Sequence, residues 1–266
     1  GDITAVKTQS EGNNLEHDTD HNNFNSLVQV DSDTYALAYL GLDTDGFIST
    51  FTISDDGTTI TKVATLEHDT DRGEHNSLVK VDSDTVALAY EGENGDGFIT
   101  TFTISDDGST ITEVATLEHD DAGSSGDVIE WNSFVQVDSD TYALAYEGED
   151  DDGFISTFTI SSDGTTITKV ATLEHDTIGN PNQHNSLVQV DSDTYALAYS
   201  GQDSDAFIST FTIDSDGNIT AVKTQSEGNN LEHDAHIVGS TGISNSFVQV
   251  DSDTYALAYV GPDSDG

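Results

Sequence analysis

Cysteine and methionine are absent from this chain of 266 residues, and tryptophan occurs once. Without cysteine there is no disulfide, no thiolate metal site and no cysteine nucleophile. Without methionine the chain reads as a processed product or a segment of a longer one, with any signal peptide outside it. Basic residues are scarce: 6 Lys+Arg stand against 51 Asp+Glu, a formal charge of −45. That excludes nucleic-acid binding through phosphates, which needs a basic face. The lack of any polybasic stretch argues against docking on anionic lipid. No apolar run reaches the ~18 residues of a spanning helix, so membrane insertion is not expected. The hydrophobic share, 34%, is low for a globular domain. Low hydrophobicity with high charge usually means disorder, but here the apolar residues fall in too regular a pattern.

That pattern is an internal repeat. The phrase V-D-S-D-T-[YV]-A-L-A-Y occurs five times, its first Asp being Asp31, Asp82, Asp138, Asp191 and Asp251, at spacings of 51, 56, 53 and 60 residues. A period near 50 fits one four-stranded propeller blade. Each unit reads as four strands: N-S-[LF]-V-[QK]-V, T-Y-A-L-A-Y, F-I-[ST]-T-F-T-I and T-I-T-x-V-A-T-L-E. The breaks are D-S-D, G-x-D-x-D-G and D-D-G. Tyr35, Leu37 and Tyr39 share one strand face and Ala36 and Ala38 the other. Rings of one sheet can therefore fill the space beside the next sheet's alanines. The expected fold is all-β, a five-bladed β-propeller forming one domain over residues 1–266, with units 25–69, 76–120, 132–176, 185–234, and 245–266 plus 1–18.

The ends sharpen this expectation. Residues 1–18 nearly duplicate 217–234, so the N-terminal segment reads as a fourth strand that closes the last blade. Strands one, two and four occur five times and strand three four times. The gap reads as a longer parent array, a strand supplied by another copy, or a defective blade.

Chain alternation sorts the loops onto two faces. The G-x-D-x-D-G loop shares a face with the connection from strand four to the next sheet. From the His of E-H-D to the Ser of N-S the offsets are 9, 9, 14, 11 and 13 residues, whereas Asp31 to His68, Asp82 to His119 and Asp138 to His175 are each 37. Length variation confined to one face marks it as the binding face. Two residues before the strand-one Ser stand Phe24, His75, Trp131, His184 and Ser244, a variable set amid fixed repeats. They are expected to ring the mouth of a central funnel. Trp131 follows the longest inserted connection, with Asp127 and Glu130 beside it. An exposed Trp stacks on sugar rings or anchors a partner.

Acidic loops raise the question of cations. Asp43 and Asp45, Asn94 and Asp96, Asp150 and Asp152, and Asp203 and Asp205 recur in the G-x-D-x-D-G loops. The loops partly resemble calcium loops of the D-x-D-x-D-G type, which implies Ca2+ as a candidate ligand. The tripeptide Glu-His-Asp occurs five times, and a repeated structural role is expected, with the His bonding a loop carbonyl or carboxylate.

The turn Ser54-Asp55-Asp56-Gly57-Thr58-Thr59-Ile60 and its repeats resemble the Asp-box of sialidase- and glycosidase-type propellers over about seven residues per unit. They lack the spacer between Asp and Gly and the closing aromatic residue. The resemblance implies fold only. Sialidases need an arginine cluster, and Arg72 is the single arginine here. Function is then expected to be non-catalytic extracellular binding or adhesion, toward a glycan or protein surface. Alternatives are a structural repeat of a surface layer or filament, completed by another copy, and a glycoside hydrolase using an acid pair such as Asp127 and Glu130.

Overall fold

The computed structural model describes residues 6–8, 14–19, 23–123, 128–177, 183–202, 205–234 and 245–259. They form antiparallel sheets in repeated order, with no α-helix among them. Sheet one runs β1 (Asn23–Gln29), β2 (Thr34–Leu40), β3 (Gly46–Ile53) and β4 (Ile60–Asp69). Sheet two runs β5 (Glu74–Lys80), β6 (Thr85–Glu91), β7 (Gly97–Ile104) and β8 (Ile111–Asp120). Sheet three runs β9 (Glu130–Gln136), β10 (Thr141–Glu147), β11 (Gly153–Ile160) and β12 (Ile167–Asp176). Sheet four runs β13 (Gln183–Gln189), β14 (Thr194–Ser200), β15 (Ala206–Ile213) and β16 (Ile219–Lys223), with β17 (Leu231–Asp234) also on β15. A hairpin of β18 (Ser246–Gln249) and β19 (Tyr255–Ala258) follows. The architecture is consistent with a propeller.

Alternation sets the packing. Ala36 and Ala38 of sheet one meet Val86, Leu88, Tyr90 and Phe102 of sheet two in one buried cluster. Ala87 and Ala89 meet Tyr142, Leu144, Tyr146 and Phe158 in the next. Ala143 and Ala145 meet Tyr195, Leu197, Tyr199 and Phe211 in the third. Burying such rings stabilises each interface by about 1.5–3 kcal/mol per side chain.

Polar staples fix the register between sheets. On the inner strands the Ser of each N-S pair accepts the next sheet's backbone N–H. Leu78 donates to Ser26 at 2.8 Å, and Phe134 to Ser77, Leu187 to Ser133 and Phe247 to Ser186 each at 3.0 Å. Farther out, Thr50 Oγ1 donates to the Gly108 carbonyl at 2.7 Å, Thr101 to Gly164 at 2.7 Å and Thr157 to Gly217 at 2.6 Å. The D-D-G turn therefore does two jobs. Its Asp closes the hairpin, as Asp56 does by accepting from Thr58 N–H at 3.0 Å and Ser54 Oγ at 2.8 Å. Its Gly, at φ +70° in Gly164, lies where a Cβ would sit 3.1 Å from Thr101 and Thr85.

Four of the Glu-His-Asp tripeptides close β4, β8, β12 and β17, while residues 16–18 lie in no strand, and the side chains of His68, His119 and His175 do something other than the expected hydrogen bonding. Each of the five His rings stands edge-on against a Tyr. The centroid distances are 5.0 Å for His17–Tyr39, 4.8 Å for His68–Tyr90, 5.1 Å for His119–Tyr146, 4.9 Å for His175–Tyr199 and 4.9 Å for His233–Tyr259. Both ring nitrogens of His68, His119 and His175 are buried without a hydrogen-bond partner. Burial holds these three at about 3, so they pack as neutral rings. The role is structural, carried by aromatic packing between sheets rather than by a loop carbonyl or carboxylate.

Candidate functional site

Four inner strands begin with an irregularity that builds a cup. The pairing of strand one with strand two slips between Asn23 and Ser26, Glu74 and Ser77, Ala145 and Glu147, and Gln183 and Ser186. Such a bulge turns one extra residue off the ladder. The turned residues are Phe24, His75, Trp131 and His184, at φ +53°, +51°, +56° and +57°. Bulky L-residues pay roughly 1–2 kcal/mol each to sit there. Four such placements at equivalent positions point to a function for the side chains they aim.

The four rings form a continuous arc. Phe24 lies 4.2 Å from His75, His75 4.4 Å from Trp131, and Trp131 3.8 Å from His184, centroid to centroid. Beneath them an open cavity of about 230 Å³ is lined also by Asn25, Asn76, Asn132, Asn185 and Asn245, the Asn of each N-S pair. Asn76 Nδ2 donates to the Gly73 carbonyl at 2.8 Å and Asn132 Nδ2 to the His75 carbonyl at 3.1 Å. Their Oδ1 atoms are buried without a partner. In Asn76 and Asn132 the chain itself thus satisfies the amide donor and leaves the carbonyl oxygen unpaired. Burial lowers His184 to about 4 and His75 to about 3, so both rings are neutral.

The expected ring of Phe24, His75, Trp131 and His184 is therefore gathered in one place. Ser244 lies outside the described residues, as does Asp127, so the pairing of Asp127 with Glu130 is not described.

Against this cup the solved structures can be compared. No family model and no curated protein matches the chain. A protein from Lactobacillus plantarum is similar in structure at 18% identity and TM-score 0.59, over 89% of this chain and 63% of its own. The SapL1 lectin, solved with alpha methyl fucoside, is similar at 12% identity and TM-score 0.55, over 94% and 75%. The periplasmic gluconolactonase PpgL of Pseudomonas aeruginosa is similar at 13% identity and TM-score 0.52, over 91% and 79%. The likeness is one of fold. The chain spans under two thirds of the Lactobacillus plantarum protein, and no helix among the described residues is long and apolar enough to cross a membrane.

Carboxylates cluster below one side of the cup. Glu74 pairs in register with Glu91, and Glu130 with Glu147. Facing like charges on adjacent strands are destabilising, and sheets one and four place Asn23 with Leu40 and Gln183 with Ser200 there instead. Glu91 is fully buried and pairs through Oε1 with Arg72. Burial, opposed by Arg72, pushes Glu91 up to about 8, and burial with Glu130 nearby does the same to Glu147. Glu130 is raised for similar reasons, burial first and Glu74 next. His75 Nε2 lies 3.9 Å from Glu91 Oε2 and 3.8 Å from Glu130 Oε1, too far for hydrogen bonds. Sequence reading found Glu130 but missed Glu74, Glu91, Glu147 and the five Asn. The signal for the Glu pairs was present: only units two and three carry Glu both before the ring residue and at the end of strand two.

The acidic loops are tight turns. Asp43, Asn94 and Asp150 stand at φ +58°, +62° and +60° within them. Asp45 is raised by burial and by Asp43, Asp69 and Asp71. Asp96 accepts from Ala122 N–H at 2.9 Å and so ties down the following connection. The backbone N–H of Asp152 bonds the Glu149 carbonyl at 3.2 Å, and that of Asp205 bonds Gln202 at 3.0 Å. Asp203 lies outside the described residues. Among the described residues the one trio of metal-ligating atoms within reach of a common ion is Glu74, His75 and Glu91, within 4.8 Å of one another, and it lies beneath the cup rather than in these loops.

Proposed function

We propose that the protein is a carbohydrate-binding propeller whose ligand site is the cup of Phe24, His75, Trp131 and His184. The observation that carries this reading is the arc of four rings held at positive φ over an asparagine-lined cavity. Ring faces stack on the apolar face of a sugar, and asparagine amides lining the cavity suit its hydroxyls as hydrogen-bond partners. The cavity, about 230 Å³, is below the usual range for drug-sized ligands and suits one terminal sugar residue. The surrounding carboxylates and the −45 charge select a neutral sugar over a sialylated or sulfated one.

The same proposal takes the ring as five-bladed. Phe247 bonds Ser186 and His233 packs on Tyr259 as their counterparts do in the complete sheets, which supports reading β18–β19 as the inner hairpin of a fifth blade. His17 packs on Tyr39 where His68 packs on Tyr90, which supports reading the N-terminal segment as the closing segment of that blade. The setting we infer is extracellular.

The test is a titration of Trp131 fluorescence with neutral methyl glycosides, α-methyl fucoside among them. Saturable change is expected in the wild type, with affinity at least tenfold weaker in His184→Ala, about 1.4 kcal/mol. No change with any neutral glycoside refutes the reading. A second reading, glycoside hydrolysis, is favoured by one feature, the raised carboxyls Glu91 and Glu147 facing Glu74 and Glu130. Turnover of nitrophenyl glycosides that is lost in Glu130→Gln supports it, and no turnover rejects it.

A further inference from the structure

We propose that Glu74, His75 and Glu91 form a binding site for one divalent transition-metal ion, of the zinc or cobalt class, under the sugar cup. Three observations meet here. The ligand atoms of these three side chains lie within 4.8 Å of one another. Glu91 is 0% exposed, and its Oε2 has no hydrogen-bond partner. That orphaned oxygen is the one facing His75 Nε2, at 3.9 Å.

The spacing carries chemical information. At 3.9 Å an acceptor and a ring nitrogen do not bond each other. Two ligands of a tetrahedral ion with bonds of about 2.0–2.1 Å stand roughly 3.4 Å apart, so His75 and Glu91 need to close by about half an ångström, and no pair in the set by more than about 1.4 Å, to take an ion. Imidazole nitrogen with carboxylate oxygen suits zinc and its first-row neighbours better than calcium, which takes oxygen alone. Arg72 pairs with Oε1 of Glu91 and leaves Oε2 toward His75, and Glu130 adds a further carboxyl nearby.

The placement also explains a cost in the sequence. Facing carboxyls at Glu74 and Glu91 cost a sheet either their mutual repulsion or the uptake of a proton that removes it. An ion between them would replace that cost with ligation. The site is independent of the sugar reading, since it needs neither the ligand nor the rest of the ring.

The experiment is titration of the apo chain with Zn2+ and with Co2+ alone, in physiological salt with excess Mg2+ to fill diffuse acidic sites. Trp131 reports, because its ring lies 4.4 Å from His75. The expected result is a change in emission complete at one equivalent, with visible Co2+ absorption bands. Glu91→Gln and Glu74→Gln should each weaken binding by tenfold or more. Glu74 is only half-buried, so its variant keeps the test alive if Glu91→Gln fails to fold. Asp43→Asn, in an acidic loop, should leave the response unchanged. Absence of an emission change, or a change that survives both Glu variants, overturns the proposal.

Discussion

Acidification should penalise the folded state at three buried histidines, and the size of that contribution can be worked from the structure. His68, His119 and His175 are held at about 3 by burial, against an ordinary value of 6.5. Above pH 6.5 they are neutral in both folded and unfolded chains and cost nothing. As pH falls below 6.5 the unfolded chain takes up protons that the folded chain refuses, so stability is lost down to about pH 3. Each His contributes a slope of about 1.4 kcal/mol per pH unit in that window. At pH 5 that is about 2 kcal/mol each and about 6 for the three, comparable to a typical domain's whole stability of about 5–15 kcal/mol. Glu91 and Glu147, raised to about 8, act in the opposite sense, gaining stability as pH falls through that value. The clean comparison is therefore a difference. His119→Leu keeps an apolar body against Tyr146 and Phe158 and removes two unpartnered nitrogens. Urea denaturation at pH 7, 6 and 5 should show it near wild type at pH 7 and about 2 kcal/mol more stable at pH 5. An equal pH slope in His119→Leu and wild type would refute the reasoning.

Other consequences are as direct. Trp131 sits at φ +56°, so Trp131→Gly should be more stable than Trp131→Ala by about 1 kcal/mol, the reverse of the usual order in a strand, as read by thermal melts. Gly164→Ala should cost about 2 kcal/mol or more, because its Cβ would lie 3.1 Å from Thr101, whereas Gly123→Ala has nothing within 4 Å and should cost about 1 kcal/mol. Ser77→Ala strips the partner from the Phe134 N–H and should cost about 1–3 kcal/mol in denaturant unfolding. With −45 charges, the melting temperature should rise with NaCl; a flat profile from low to seawater-like salt contradicts that.

The repeat made much of this legible. Four-stranded sheets and rings facing alanines follow from spacing and alternation, which local sequence encodes. The cup was legible for a related reason: Phe24, His75, Trp131 and His184 vary where their surroundings do not. The Asn ring was hidden by its very regularity, since an Asn fixed in every unit looks like part of a strand. The Glu pairs were hidden twice. Acidic residues are everywhere in this chain, and the bulge shifts register so that Glu74 faces Glu91 only once the extra residue is counted. The histidines were misjudged because their partners, Tyr90, Tyr146 and Tyr199, belong to the following sheet. Spacing within a unit does not report what crosses to the next.

If the aromatic cup holds a neutral sugar, a glycan array will show it. Wild-type protein and Trp131→Ala, matched for folding by circular dichroism, are applied to the same array. Wild type should retain at least one class of neutral terminal sugar, and Trp131→Ala should lose it. Retention of the same glycans by both proteins, or of none by wild type, would contradict it.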